Sequence, residues 1–151
     1  MNTSALTATE RAREPGLIYR MVAPSRPDTP RTAREWVALV LRGAGCDLLV
    51  ERARLCTSEV VTNAYQHTVT PRISVELALG AGRVTVFVRD RGSGPEDLPP
   101  HGAPGGGLLD THGRGLALVG AYADDWAMVA EGGSKAVWFS LVRGADRRGE
   151  V

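Results

Sequence analysis

Glu59, Asn63 and His67 recur at a spacing of four in the stretch SEVVTNAYQHT, residues 58–68, among valine and alanine. On a helix such residues lie along one side, drifting by about 40° per step. A carboxylate and an amide oxygen side by side suit Mg²⁺, which prefers oxygen ligands and keeps several waters. The Glu59 carboxylate is equally suited to take a proton from an attacking hydroxyl. A solvated helix face, with His67 near the C-terminal end where the dipole favours a cation, is the reading that needs no chemistry.

Two glycine motifs raise similar choices. VRDRGSG, residues 88–94, places Asp90 before Gly92 and Gly94 at a strand end. That is either a turn or a carboxylate that accepts a hydrogen bond from an exocyclic amine, such as that of adenine, while the glycines let backbone approach a flat base. HGRGLALV, residues 112–119, places Gly113 and Gly115 at a helix start. Free N–H groups and the positive dipole end there suit phosphates, and Arg114 would add a charge-assisted contact; a plain helix start is the alternative. GGSKA, residues 132–136, lacks the GK[ST] of a P-loop, and Gly113-Arg114-Gly115 lacks the third glycine of a dinucleotide fingerprint. No nucleophile elbow of the Gly-x-Ser-x-Gly type occurs.

These residues must be positioned by one domain's worth of chain: 151 residues, 43% hydrophobic. Eighteen basic and seventeen acidic residues give a net charge of +1, so electrostatics provides no reason to expect nucleic acid or an anionic membrane as partner. Cys46 and Cys56 form no CxxC, and His67, His101 and His112 are scattered, which leaves no zinc ligand set. Both cysteines fit a reducing compartment as buried apolar side chains. The N-terminus lacks the apolar core of a secretory signal, and the apolar run at 36–41 is too short to span a bilayer, so a cytoplasmic protein is expected.

The elements follow from periodicity and punctuation. Residues 16–23 read as a strand. Thr29 and Pro30 cap and open a helix that Gly43 and Gly45 end. Asp47 caps a second helix, roughly 48–67, with Leu48, Leu55, Val60 and Ala64 on its apolar face and Pro71 beyond its end. RISVELALG and RVTVFVRD alternate around residues 81–82 as a β-hairpin. A Pro/Gly-rich loop spans 95–113, a short helix 114–122, and two strands, DWAMVA and KAVWFSLV, flank EGGS. The total of about five strands and three helices implies an α+β fold: a two-layer sandwich, with an antiparallel or mixed, mostly antiparallel sheet and the helices on one face. Residues 1–14 and 144–151 read as polar tails around a domain at 15–143.

The order and spacing of the motifs resembles the GHKL ATPase superfamily over roughly residues 16–142. That group includes DNA gyrase, the histidine kinases and the anti-sigma-factor serine kinases. SEVVTNAYQH resembles its N box, DRGSG its first glycine box and GRGLALV its second, with residues 95–112 as the ATP lid. Within the superfamily the chain is most similar to the small anti-sigma-factor kinases. Histidine kinases commonly carry Asn where Glu59 stands, and gyrase-like ATPases need a transducer domain.

The resemblance implies ATP and Mg²⁺ as cofactors and assigns roles. Asn63 would coordinate Mg²⁺, Glu59 would be general base for a protein serine hydroxyl, and Asp90 would read the adenine amine. Gly92 and Gly94 would shape the base pocket, and Gly113, Arg114, Gly115 and Leu116 would wrap the phosphates, with His67 near the phosphate end. It implies an ATP-dependent serine/threonine kinase of an anti-sigma-factor antagonist that also sequesters a sigma factor; dimerisation is compatible with it. A non-catalytic, nucleotide-gated interaction module and a free-standing ATPase are the alternatives. In the final hairpin, Ala136 stands where the family's adenine-side Thr is expected.

Overall fold

Five strands form a single antiparallel sheet with helices on one side. The computed structural model describes residues 16–67, 71–90, 116–131 and 134–144. In chain order these are β1 (Leu17–Pro24), α1 (Thr29–Gly43), a 3₁₀ turn (Asp47–Leu49), α2 (Val50–His67), β2 (Arg72–Leu79), β3 (Arg83–Asp90), a helix α3 at 116–122, β4 (Asp125–Glu131) and β5 (Ser134–Val142). The strand order is β1-β2-β3-β5-β4, and every pairing is antiparallel. The expected α+β sandwich is present, with no parallel pair among the described strands.

Strand alternation divides the side chains between two layers. Ile73, Val75, Leu77 and Leu79 of β2, Val84, Val86 and Val88 of β3, and Val137, Phe139 and Leu141 of β5 face the helices. They pack against Val37, Ala38 and Leu41 of α1, Ala53, Cys56, Val60, Val61 and Ala64 of α2, and Leu116 and Val119 of α3. Each fully buried valine or leucine contributes about 1.5–3 kcal/mol. The helix-free side carries a smaller cluster, Phe87 and Trp138, with ring centroids 6.4 Å apart at 45°.

Several local expectations are corrected. Thr29 does not cap α1: the cap position is Asp28, without a side-chain cap bond, and Pro30 sits in the first turn. The Thr29 hydroxyl instead donates to the Pro24 carbonyl and accepts from the Arg26 N–H, tying the loop to the end of β1. Asp47 opens a 3₁₀ turn, and α2 begins at Val50. That tighter turn changes the helical phase. Leu48 is therefore 70% exposed and Leu55 only half-buried, while Ala53, Cys56 and Val61 join Val60 and Ala64 on the core face.

The end of α1 shows how sequence chemistry sets a boundary. Cys46 N–H donates to the Leu41 carbonyl (2.8 Å) and Gly45 N–H to that of Arg42 (3.1 Å). This paired closure needs a left-handed residue, and Gly45 has φ 76°. Gly45→Ala should cost roughly 1 kcal/mol in urea unfolding, because a Cβ is strained in that region. A second expected outcome concerns Cys56. Burial pushes its thiol up to about 11 from an ordinary 9.0, with Arg52 opposing the rise and the nearby Glu59 carboxylate adding to it. The unfolded chain then loses this proton first as pH rises. The stability held below pH 9 should therefore decline through pH 11, by roughly 2–3 kcal/mol. Chemical denaturation at stepped pH should show a flatter profile for Cys56→Ala.

Candidate functional site

Three of the sequence-selected residues converge because of how the chain turns at one end of the sandwich. α2 runs to His67, and after residues 68–70 the chain enters β2 at Arg72. The start of β2 lies beside the end of β3, with Ile73 the register partner of Asp90. The C-terminal turn of α2, carrying Asn63 and the backbone of His67, therefore shares an end with Asp90. The opposite end is fixed by Arg52, whose Nε donates to the Tyr122 carbonyl (3.0 Å) and whose Nη2 pairs with Asp124 (3.2 Å). Asp124 also accepts from the Val142 N–H (2.7 Å). α2 thus starts where α3 finishes.

Asp90 continues the row Val84, Val86, Val88 on the helix-facing side of β3, the middle strand. It is 3% exposed. A carboxylate in a valine row is expensive to desolvate unless a donor meets it. Asn63, in the helix that packs over β3, is also buried, at 8% exposure. Glu59, one turn earlier, is half-buried, so its carboxylate is reachable from solvent. The stripe is not solvated throughout: Glu59 meets water, whereas Asn63 is withdrawn into the core. Around it, Arg34 Nη1 donates to Ser58 Oγ (3.0 Å) and Arg54 pairs with Glu35 (2.9 Å), locking α1 to α2.

Leu116 is fully buried in the main core, so it anchors the start of α3 rather than standing in solvent. Gly92, Gly94, Gly113, Arg114 and Gly115, the lid at 95–112 and the His67 side chain lie outside the described residues. Among the described residues no group of three His, Cys, Asp or Glu side chains could hold a metal. That does not count against Mg²⁺ at Asn63, because Mg²⁺ carried by a nucleotide needs one or two protein oxygens beside the phosphates and its waters.

The register corrects the expectation at Ala136. Even-numbered β5 residues face away from the helices, and Ala136 pairs with Arg89 and Val129 on the side of Trp138. The β5 position beside Asp90 is Lys135. Counting back by twos from Leu141, Phe139 and Val137 would have identified it. The absence of Thr at 136 therefore removes nothing from the Asp90 side of the sheet. A cavity of ≈ 300 Å³ lined by Arg20, Val22, Ser74, Glu76, Phe87 and Arg89 lies on that opposite, helix-free side of the sheet. No described helix is long and apolar enough to cross a membrane.

Comparison with known proteins is consistent with this geometry. A search of curated proteins finds no match. Among solved structures, the chain is similar to "The crystal structure of the RsbU and RsbW domains of Rv1364c from Mycobacterium tuberculosis", with a TM-score of 0.61 and 21% identity. The similarity covers 84% of this chain and 32% of that one, so this chain spans about a third of the solved chain's length. At that identity the likeness shows a shared fold. The family model described as "Histidine kinase-like ATPase domain" matches residues 23–141, from the end of β1 to the end of β5. With its buried Asp90 and Asn63 at one end of an antiparallel sandwich, the chain belongs to the histidine kinase-like ATPase domain family.

Proposed function

We propose that this chain binds ATP with Mg²⁺ at the end of the sandwich shared by Asn63 and Asp90, and transfers the terminal phosphoryl group to a serine of a partner protein. The observation that carries the reading is the buried carboxylate of Asp90 at the end of an apolar row in the middle strand. An exocyclic amine is a suitable donor for such a group, and the base would enter edge-on beside β3. Asn63 would present its amide oxygen to Mg²⁺, which supplies charge stabilisation when bound. Gly113, Arg114, Gly115 and Leu116 would hold the phosphates, with Gly92 and Gly94 beside the base and His67 near the phosphates.

Glu59 suits the proton-accepting role because it is reachable from solvent while its helix is fixed in the core. A protein hydroxyl presented at that end meets a carboxylate before it meets the buried amide. The RsbW domain named in the similar structure is consistent with partners of the sigma-factor and antagonist kind. The same fold permits a homodimer.

Calorimetric titration with ATP, with and without Mg²⁺, tests the site. Asp90→Asn should weaken binding at least about tenfold, since a buried acceptor becomes a mismatched amide. Asn63→Ala should bind ATP with its magnesium dependence removed. Glu59→Gln should keep nucleotide affinity yet lower phosphoryl transfer to an antagonist serine by about 10²–10⁴-fold. A folded wild-type protein that ignores millimolar ATP would overturn the reading. Tight binding with no transfer would leave a nucleotide-gated interaction module.

A further inference from the structure

The register around Asp90 sets a second chemical group at the same end of the sheet. Asp90 of β3 has Ile73 of β2 as its partner on one side and Lys135 of β5 on the other. Position 135 continues the row Val137, Phe139, Leu141, as Asp90 continues Val84, Val86, Val88. Alternation therefore places both positions in the helix-facing layer. Directly opposed positions of antiparallel strands hold their Cβ atoms about 4.5–5.5 Å apart. One step inward the same layer is apolar across all five strands: Met21, Val75, Val88, Val137 and Met128 are successive register partners. Charge enters this part of the layer at its end, and there it comes with both signs.

The two residue types divide the hydrogen-bonding work. An ionised carboxylate only accepts, whereas a lysine ammonium carries three donors and no acceptor. Side by side they offer an acceptor and a donor to a flat group lying against the sheet end. Adenine carries the complement on its edge: the exocyclic amine donates, and the ring nitrogens N1 and N7 that flank it accept. A hydroxyl at position 135 could play either part; a lysine can only donate, which commits this position to an acceptor on the base.

Resting on the ATP reading above, we propose that Lys135 is a specificity-determining residue of the base site, donating to a ring nitrogen beside the amine that Asp90 reads. A carboxylate alone accepts from any amine, so the added donor selects amines that have an acceptor next to them. A site built to hydrogen-bond a group rejects the analogue that lacks it. The plainer role for the lysine is a cross-strand charge pair that braces β3 against β5. Bracing makes no distinction between one atom of the base and another, and the test reads that distinction.

Calorimetric titrations of the full chain with Mg²⁺ compare ATP with its 1-deaza and 7-deaza analogues, in which N1 or N7 is replaced by C–H. Wild type should bind one of the two analogues about tenfold more weakly than ATP, as for loss of a hydrogen bond to a charged donor. Lys135→Met should bind ATP about tenfold more weakly and should treat ATP and that analogue alike. Lys135→Arg keeps a cationic donor and should recover discrimination. The proposal is overturned if neither analogue binds more weakly than ATP, or if Lys135→Met binds ATP as wild type does. It is equally overturned if Lys135→Met loses affinity for every nucleotide while keeping the wild-type discrimination, the result that bracing alone gives. ATP binding that requires Asp90 but ignores Lys135 overturns the role of the lysine and leaves the nucleotide site standing. A folded wild type that binds none of the three nucleotides overturns both.

Discussion

A slip of β3 by one residue would carry Asp90 through the sheet, from the helix-covered layer to the side of Phe87 and Trp138. Everything at the candidate site depends on that register being fixed. It is fixed by the row of valines preceding Asp90, each matched by an apolar neighbour on β2 and β5: Val84 lies between Leu79 and Leu141, Val86 between Leu77 and Phe139, Val88 between Val75 and Val137. Shifting the row would expose three buried side chains at once and cost several kcal/mol. The same packing that stabilises the domain thus holds a carboxylate where packing alone would choose another valine.

The helix completes the arrangement by a comparable compromise. α2 devotes Ala53, Cys56, Val60, Val61 and Ala64 to the core and leaves Asn63 buried among them. Small residues let the helix lie close to β3, which brings its polar stripe to the sheet end without long side chains. Glu59 and Asn63, one turn apart, then differ in exposure. One side chain stays in contact with solvent while the other is withdrawn, which is the division of labour that the proposed roles require of a single helix face.

Much of this was legible beforehand. The β2–β3 hairpin showed itself by alternation around a Gly-Ala-Gly turn, and Pro30 and Gly45 marked the limits of α1 through fixed local geometry. The spacing of Glu59, Asn63 and His67 pointed to a shared helix face. What was not legible depended on partners or phase. Leu48 looked apolar enough for the core, but the 3₁₀ turn before α2 rotates it outward. Ala136 seemed to adjoin Asp90 because motif matching counts residues from a glycine, whereas the sheet counts by pairing, and pairing selects Lys135. The face on which a strand residue lies is decided by its neighbours' registers, which no single strand encodes.

The bonds at the far end of the sandwich have a mechanical meaning. Arg52 holds the Tyr122 carbonyl and Asp124, and Asp124 also receives the Val142 N–H, so the start of α2, the end of α3 and the end of β5 meet at one knot. Leu116 and Val119 extend that hold along α3 into the core. A helix fastened at its tail by polar bonds and at its start by a buried leucine behaves as a beam held at both ends. A ligand held at the Asn63 and Asp90 end, as proposed, would then exchange against a frame kept stationary at the other.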